Sequence, residues 1–247
     1  MKFRNSLLLL FAIATASCVA ASSLPVQWFD AVSQFGKDNA MVGTTFGVPS
    51  SVKTTEDFAK LLNQKFGQET LETFEKIAEE SKLNIPKIEK CNDLFGISDP
   101  AVIDKVNTFA MHDCLAFKAI SEMKPSKVSY LPKVPFDEST IKALPTELAP
   151  EGISDFSSID NFKVLDFFQE VYFEIKGTVY NISIKPLAKG DFDGDGVEDI
   201  LISVDSEFAP GSSGEGGKAT NELSIFVLTK KSKDGKIEVV KTLYQQK

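Results

Sequence analysis

Residues 190–205 read GDFDGDGVEDILISVD, and how this stretch turns and then runs straight decides the fold of the C-terminal half. Asp191, Asp193, Asp195 and Asp199 stand at positions 1, 3, 5 and 9 of a short loop, with Gly194 and Gly196 interleaved. Ile200, Leu201, Ile202, Ser203 and Val204 follow at once as a strand-favouring run. These four aspartates within nine residues repel one another by roughly 1 kcal/mol per close pair in water. Calcium removes that cost, because it is a hard cation that takes six to eight oxygens at about 2.3–2.6 Å. Alternate side chains of a tightly turned loop converge on one point, as such an ion requires. Gly196 at position 6 is expected at positive φ, which turns the Val197 carbonyl toward the metal at position 7. The expected ligand set is therefore Asp191, Asp193, Asp195, Val197 and Asp199, with Ca2+ as the cofactor.

The loop differs from an EF-hand, which needs a bidentate Glu at position 12 and a helix on each side. Position 12 here is Ile202, and the flanks read as strands. GDFDGDGVEDILISV resembles the FG-GAP/VCBS repeat family, in which a G-D-[FVL]-[DN]-G-D-G-x-x-D loop binds calcium and leads into a β-strand. Asp191, Asp193, Asp195 and Asp199 match that family's side-chain ligands, and Val197 matches its backbone ligand. The resemblance is close over residues 190–205 and looser over 165–230. One copy is present, so the resemblance does not imply a propeller. The plainer alternative is an acidic surface turn that binds nothing.

The first segment reads as a targeting signal, 1–21. Lys2 and Arg4 supply a positive start, Leu7 to Ile13 an apolar run, and Val19-Ala20-Ala21 a small-residue cleavage context. The apolar run is shorter than the roughly 20 residues a spanning helix wants. Ala14 to Cys18 loosely fits a bacterial lipobox, which makes Cys18 an alternative lipidation site, although Thr15 stands where Leu is usual. Either route predicts an exported chain, periplasmic or secreted or held as an outer-membrane lipoprotein, with no membrane span in its mature form. Loss of Cys18 leaves Cys91 and Cys114, an even pair suited to a disulfide in an oxidising compartment. Two buried thiols are the alternative.

Formal charge is −8, and removal of Lys2 and Arg4 brings it to −10. Arg4 is the single arginine, so the mature chain has no guanidinium for bidentate phosphate or guanine contacts. This argues against nucleic acid and anionic membrane surfaces as partners. The expected partner is an unidentified protein or envelope component.

Residues 22–124 read as a helical module. Pro25 to Phe35 is expected as a short amphipathic start carrying Trp28. Thr54 or Thr55 caps a helix running to about Phe66, with Phe58, Leu61, Leu62 and Phe66 on one side. Gly67 breaks it, and Leu71, Phe74, Ile77 and Ala78 mark the next helix. Asp99-Pro100 opens another, along which Ile103, Val106, Ala110, Cys114 and Phe117 form a stripe. Residues 125–160 hold five of eleven prolines and are expected as a connector that packs on the body, with a short helix near 138–144. Residues 161–247 read as the β-domain that carries the calcium loop: a hairpin about Gly177, the strand after the loop, a loose glycine-rich stretch 206–220, and a closing hairpin about Lys233-Asp234-Gly235. The fold class expected is α+β, a helical module followed by an antiparallel meander of about five strands.

Nucleophilic catalysis of the Ser-His-Asp or Cys-His type needs a histidine, and the chain has one, His112. On the expected stripe Cys114 faces inward and His112 off it, as a partly exposed residue, so the two form no dyad. Zinc would need further His or Cys ligands, and no GxxxxGK[ST] or GxGxxG loop is present. No catalytic residue is expected. The function expected is an exported, non-enzymatic calcium-binding protein. The alternative is an exported hydrolase with an acidic site between the helical and β parts.

Overall fold

Thr54 starts the first helix by a reciprocal cap. Its backbone is extended, its hydroxyl accepts from Asp57 N at 3.2 Å, and Asp57 Oδ2 accepts from Thr54 N at 3.2 Å. In the computed structural model, residues 23–29, 52–106, 110–149, 153–159, 163–165, 170–175, 178–210 and 220–245 are described. The leader and its Cys18 lie outside them.

Among the described residues six helices precede the main sheet: α1 (Thr55–Leu61), α2 (Gln68–Ser81), α3 (Cys91–Leu94), α4 (Pro100–Val106), α5 (Ala110–Glu122) and α6 (Glu138–Lys142). The first helix ends five residues short of the expected Phe66. Leu62 caps it, and Asn63 and Gln64 close tight turns onto Lys60 and Leu61 carbonyls. Phe66 still buries its ring, stacked obliquely on Phe74 at 5.8 Å. The stripe from Pro100 falls on α4 and α5, and residues 107–109 between them lie outside the described set. Helix α3 had no periodic signal, because four residues are too few to show one. Asp93 holds it, its Oδ2 accepting from Glu89 N at 2.9 Å and Lys90 N at 3.1 Å. Cys91 on α3 and Cys114 on α5 form the expected disulfide, with Cα atoms 5.3 Å apart and both residues fully buried.

Pro25 to Phe35 is not a helical start over its described part. Gln27–Trp28 forms a short strand, β1, that pairs with the later sheet, Gln27 opposite Lys189 and Trp28 opposite Ala188. Pairing leaves the Trp28 ring edge-on to Phe58 at 5.3 Å, an aromatic anchor that outweighs local helical preference. Residues 30–35 lie outside the described set.

The sheet is antiparallel throughout. Its five long strands are β3 (Glu170–Ile175), β4 (Thr178–Gly190), β5 (Asp199–Pro210), β6 (Thr220–Thr229) and β7 (Glu238–Gln245), with the short β2 (Lys163–Leu165) beside β3. They lie in sequence order β2-β3-β4-β5-β6-β7. β3 covers β4 from Thr178 to Ser183, and β1 takes the same edge further along. Residues 206–210, expected as loose, continue β5 in register with β4 and, as far as Phe208, with β6. Pairing with β4 along the whole segment, and with β6 as far as Phe208, imposes a strand on residues whose own sequence does not.

Alternation along β5 and β6 sorts the core into two layers. Leu201, Ile225 and Val227 pack with Phe58, Cys91, Leu94, Cys114, Phe117 and Ile120 of the helical module. Ile200, Ile202, Val204, Phe226 and Leu228 face the other way, onto Phe136, Ile141, Leu148 and Phe156 of the connector. The proline-rich segment thus packs on the body as expected. Its helix α6 is capped by Asp137, which accepts from Thr140 N at 2.7 Å. Among the described residues no helix is long and apolar enough to cross a membrane.

Candidate metal centre

Strand β4 delivers Gly190 and Asp191 to one end of the loop, and β5 leaves from Asp199 at the other. Gly190 sits in a close fit: a Cβ there would lie 3.1 Å from the Lys124 carbonyl and from the Met123 sulfur, so a larger residue needs these neighbours to give way by a few tenths of an ångström. Gly196 has φ +87°, as expected, and Gly194 has φ +86°. Both lie in the left-handed region open to glycine at little cost.

Side chains wind the loop around themselves. Asp191 accepts from Gly194 N at 2.6 Å through Oδ1 and from Gly196 N at 2.9 Å through Oδ2. Asp193 Oδ1 accepts from Asp195 N at 3.0 Å, and Asp195 Oδ1 from Val197 N at 2.8 Å. The result brings three of the expected ligands together: oxygens of Asp191, Asp193 and Asp195 all lie within 4.8 Å of one another. Asp191 is buried, and the other two face solvent. That spacing suits a shared divalent cation with oxygen ligands. Lysine supplies a positive charge nearby, since Lys231 Nζ lies 3.5 Å from Asp195 Oδ2.

Asp199 stands apart from that trio and is fully buried at the base of β5. Its Oδ2 accepts from Phe192 N at 2.9 Å, while Oδ1 has no hydrogen-bond partner. Burial pushes this carboxyl up to about 6, and the charges of Asp193 and Asp195 push the same way. The Thr229 hydroxyl and the Phe192 amide favour the charged form, and do not overcome the burial. Thr229 stands directly across from Asp199 on β6, without the alignment of a full hydrogen bond. Val197 uses its amide to hold Asp195, and its carbonyl takes no part in the bonds that flank it at Gly196 and Glu198.

The loop is gripped from outside by the segment that follows α5. Lys124 and Asp191 exchange backbone bonds at 3.0 and 2.8 Å, Lys127 N donates to Gly196 O at 2.7 Å, and Glu198 N donates to Val128 O at 2.7 Å. Glu198 Oε2 accepts from Ser129 Oγ at 2.6 Å and lies 3.8 Å from Lys189 Nζ. Burial lowers the Lys189 ammonium pKa, and Glu198 partly restores it. Sequence reasoning did not anticipate this grip, which joins residues some 70 positions apart and carries no local pattern.

His112 is the main correction. It is 4% exposed, not on a wet face. Its Nδ1 lies 3.1 Å from Asp113 Oδ1, its Nε2 3.2 Å from Ser203 Oγ on β5, and Tyr244 meets the ring edge-on at 6.2 Å. Helix α5 is buried on nearly all sides because it lies between the other helices and the sheet, so a one-stripe reading of it fails. The sparse charge of AMHDCLAFKAI was the available signal. Ser203 keeps 2% of its surface, which denies a substrate carbonyl access to the hydroxyl. The arrangement therefore joins helix to sheet by polar contacts.

Compared with known family models, curated protein sequences and solved structures, the chain gives no match.

Proposed function

We propose that this chain is an exported, non-enzymatic protein whose 191–199 loop binds one structural calcium ion in the manner of an FG-GAP/VCBS repeat. The observation that carries the reading is the convergence of Asp191, Asp193 and Asp195 oxygens within 4.8 Å on a loop bent by two left-handed glycines. Asp199, with a buried carboxylate oxygen that lacks a partner, is the fourth side-chain ligand, and the Val197 carbonyl the fifth oxygen. Buried unpaired carboxylate oxygens are costly, and a cation would relieve that cost here. Magnesium fits less well, because it keeps several waters and demands near-octahedral geometry.

The fully buried Cys91–Cys114 disulfide supports an oxidising compartment, in line with the leader-like 1–21 and its alternative lipid anchor at Cys18. The partner is a protein or envelope component. At millimolar external calcium and an affinity of about 10⁻⁴ M, binding stabilises the native state by about 1–2 kcal/mol.

The test is calorimetric titration of the protein with calcium beside Asp193→Ala/Asp195→Ala, with thermal melting in calcium and in chelator. One site and a higher melting temperature in calcium are expected, both lost in the double variant. Identical wild-type melting in the two conditions would overturn the reading.

A further inference from the structure

A recess lies on the connector side of the sheet, and its Lys230 adjoins Lys231, whose Nζ lies 3.5 Å from Asp195 of the aspartate loop. It encloses about 590 Å³ between helix α6, the 3-10 turns that follow it, and the turn joining β6 to β7. That is within the usual range for a small-molecule site. Its lining is unusual for a chain of net charge −8. Lys142, Lys230 and Lys236 face it, against one acid, Asp155.

The two sides of the recess offer complementary chemistry. Lys142 is engaged by Glu138 at 3.0 Å. Neither Lys230 nor Lys236 has a carboxylate within 4.0 Å among the described residues. Their ammonium groups are thus the donors left for an anion. The opposite wall is built from caps. Ser139 Oγ donates to Asp137 Oδ1 at 2.8 Å, and Ser157 Oγ donates to Asp155 Oδ1. With their protons committed to those carboxylates, both hydroxyls turn lone pairs outward as acceptors. Hydrogen bonds from Ser157 and Ser158 hold Asp155 below the usual carboxylate range, so it too stays an acceptor. Tyr130 adds an aromatic wall, and Leu144 and Ile237 apolar surface.

Donors on one wall and acceptors on the other call for a ligand that carries both a negative charge and hydroxyl groups. We infer that this recess binds a small hydroxylated anion, an acidic sugar or a sugar phosphate. The anionic group sits at Lys230 and Lys236, and the ligand hydroxyls donate to the Ser139, Ser157 and Asp155 oxygens. Carboxylate and phosphate satisfy the lysines alike.

The test is calorimetric titration of the protein with glucuronate and with glucose 6-phosphate, with neutral glucose as control. Saturable binding of at least one anion below about 10 mM, and none of glucose, is expected. Which anion binds identifies the charged group. Lys230→Gln/Lys236→Gln should weaken it roughly tenfold, with an unchanged melting temperature. Raising the salt should weaken wild-type binding as well. No saturation by either anion, equal binding of glucose, or binding indifferent to both salt and the double substitution would overturn the inference. The recess shares no residue with the aspartate loop, so calcium titration of the same sample reports on the two sites separately.

Discussion

Lys124 and Asp191 exchange both backbone hydrogen bonds, at 3.0 and 2.8 Å, which ties the second residue after helix α5 to the first expected metal ligand. A loop ordered by calcium would transmit that order to the chain outside it. Hydrogen exchange at the Lys124 and Lys127 amides should slow in calcium, because their acceptors, Asp191 O and Gly196 O, belong to the loop. The Phe117 and Ile120 amides of α5 serve as internal controls and should not respond. Equal exchange at Lys124 and Lys127 with and without calcium would separate the loop from its neighbour.

Gly196→Ala tests the bend. At φ +87° a Cβ is strained, and the nearest heavy atom, Lys127 Cδ, would lie 3.3 Å away. The lysine tip can shift, so the backbone effect dominates, about 1–2 kcal/mol. Melting should drop accordingly, and calcium affinity should fall with it. Gly194→Ala has the same φ penalty with nothing within 4 Å, and should cost no more than Gly196→Ala.

Reduction of Cys91–Cys114 releases a loop of 23 residues, worth about 3 kcal/mol on the chain-entropy estimate. Cys91→Ala/Cys114→Ala should lower the melting temperature in calcium and in chelator by similar amounts. The bridge lies in the helical layer and includes none of the loop's residues. A loss confined to the calcium-free state would place it instead in the loop's support.

Burial raises Asp199 to about 6, above its ordinary value near 4. A raised folded pKa means the protonated form is favoured in the native state. Without calcium its contribution is complete below about pH 4 and lost as pH climbs through about 6. The shift is worth on the order of 2 kcal/mol. With calcium the sign reverses, since protons compete with the ion and affinity rises across the same window. The difference between wild type and Asp199→Asn, in melting temperature measured from pH 4 to 7 in chelator, isolates the group. A flat difference would show that Asp199 does not titrate there.

Local chemistry in the sequence foretold local structure. Thr54 and Asp99-Pro100 each mark a helix start, and Gly196 and Lys233-Asp234-Gly235 each mark a bend. The fold class followed from the change of period at about residue 160. What stayed hidden depends on distant partners. Trp28 is a strand residue because Ala188 pairs with it. Residues 206–210 are strand because β4 lies beside them along their whole length. The aspartate cluster was legible because its ligands are adjacent in sequence. The Lys124, Lys127 and Ser129 contacts that hold it were not, and neither was His112 opposite Ser203.

That last pair separates a structural role from a catalytic one. His112 Nε2 lies 3.2 Å from Ser203 Oγ, and Asp113 Oδ1 3.1 Å from Nδ1, the order of groups that activates a serine in hydrolases. Burial argues the other way, with Ser203 at 2% and His112 at 4% exposure. Ser203→Ala should cost about 1 kcal/mol, the value of one buried hydrogen bond, and leave calcium affinity unchanged. His112→Ala should cost about 2–4 kcal/mol, because it also opens a cavity between α5 and β5. A fluorophosphonate probe should leave Ser203 unmodified in the native protein while serine hydrolases in the same tube react. Labelling of Ser203 that disappears in His112→Ala would make the hydroxyl an accessible, activated nucleophile, and a serine hydrolase would become the better account.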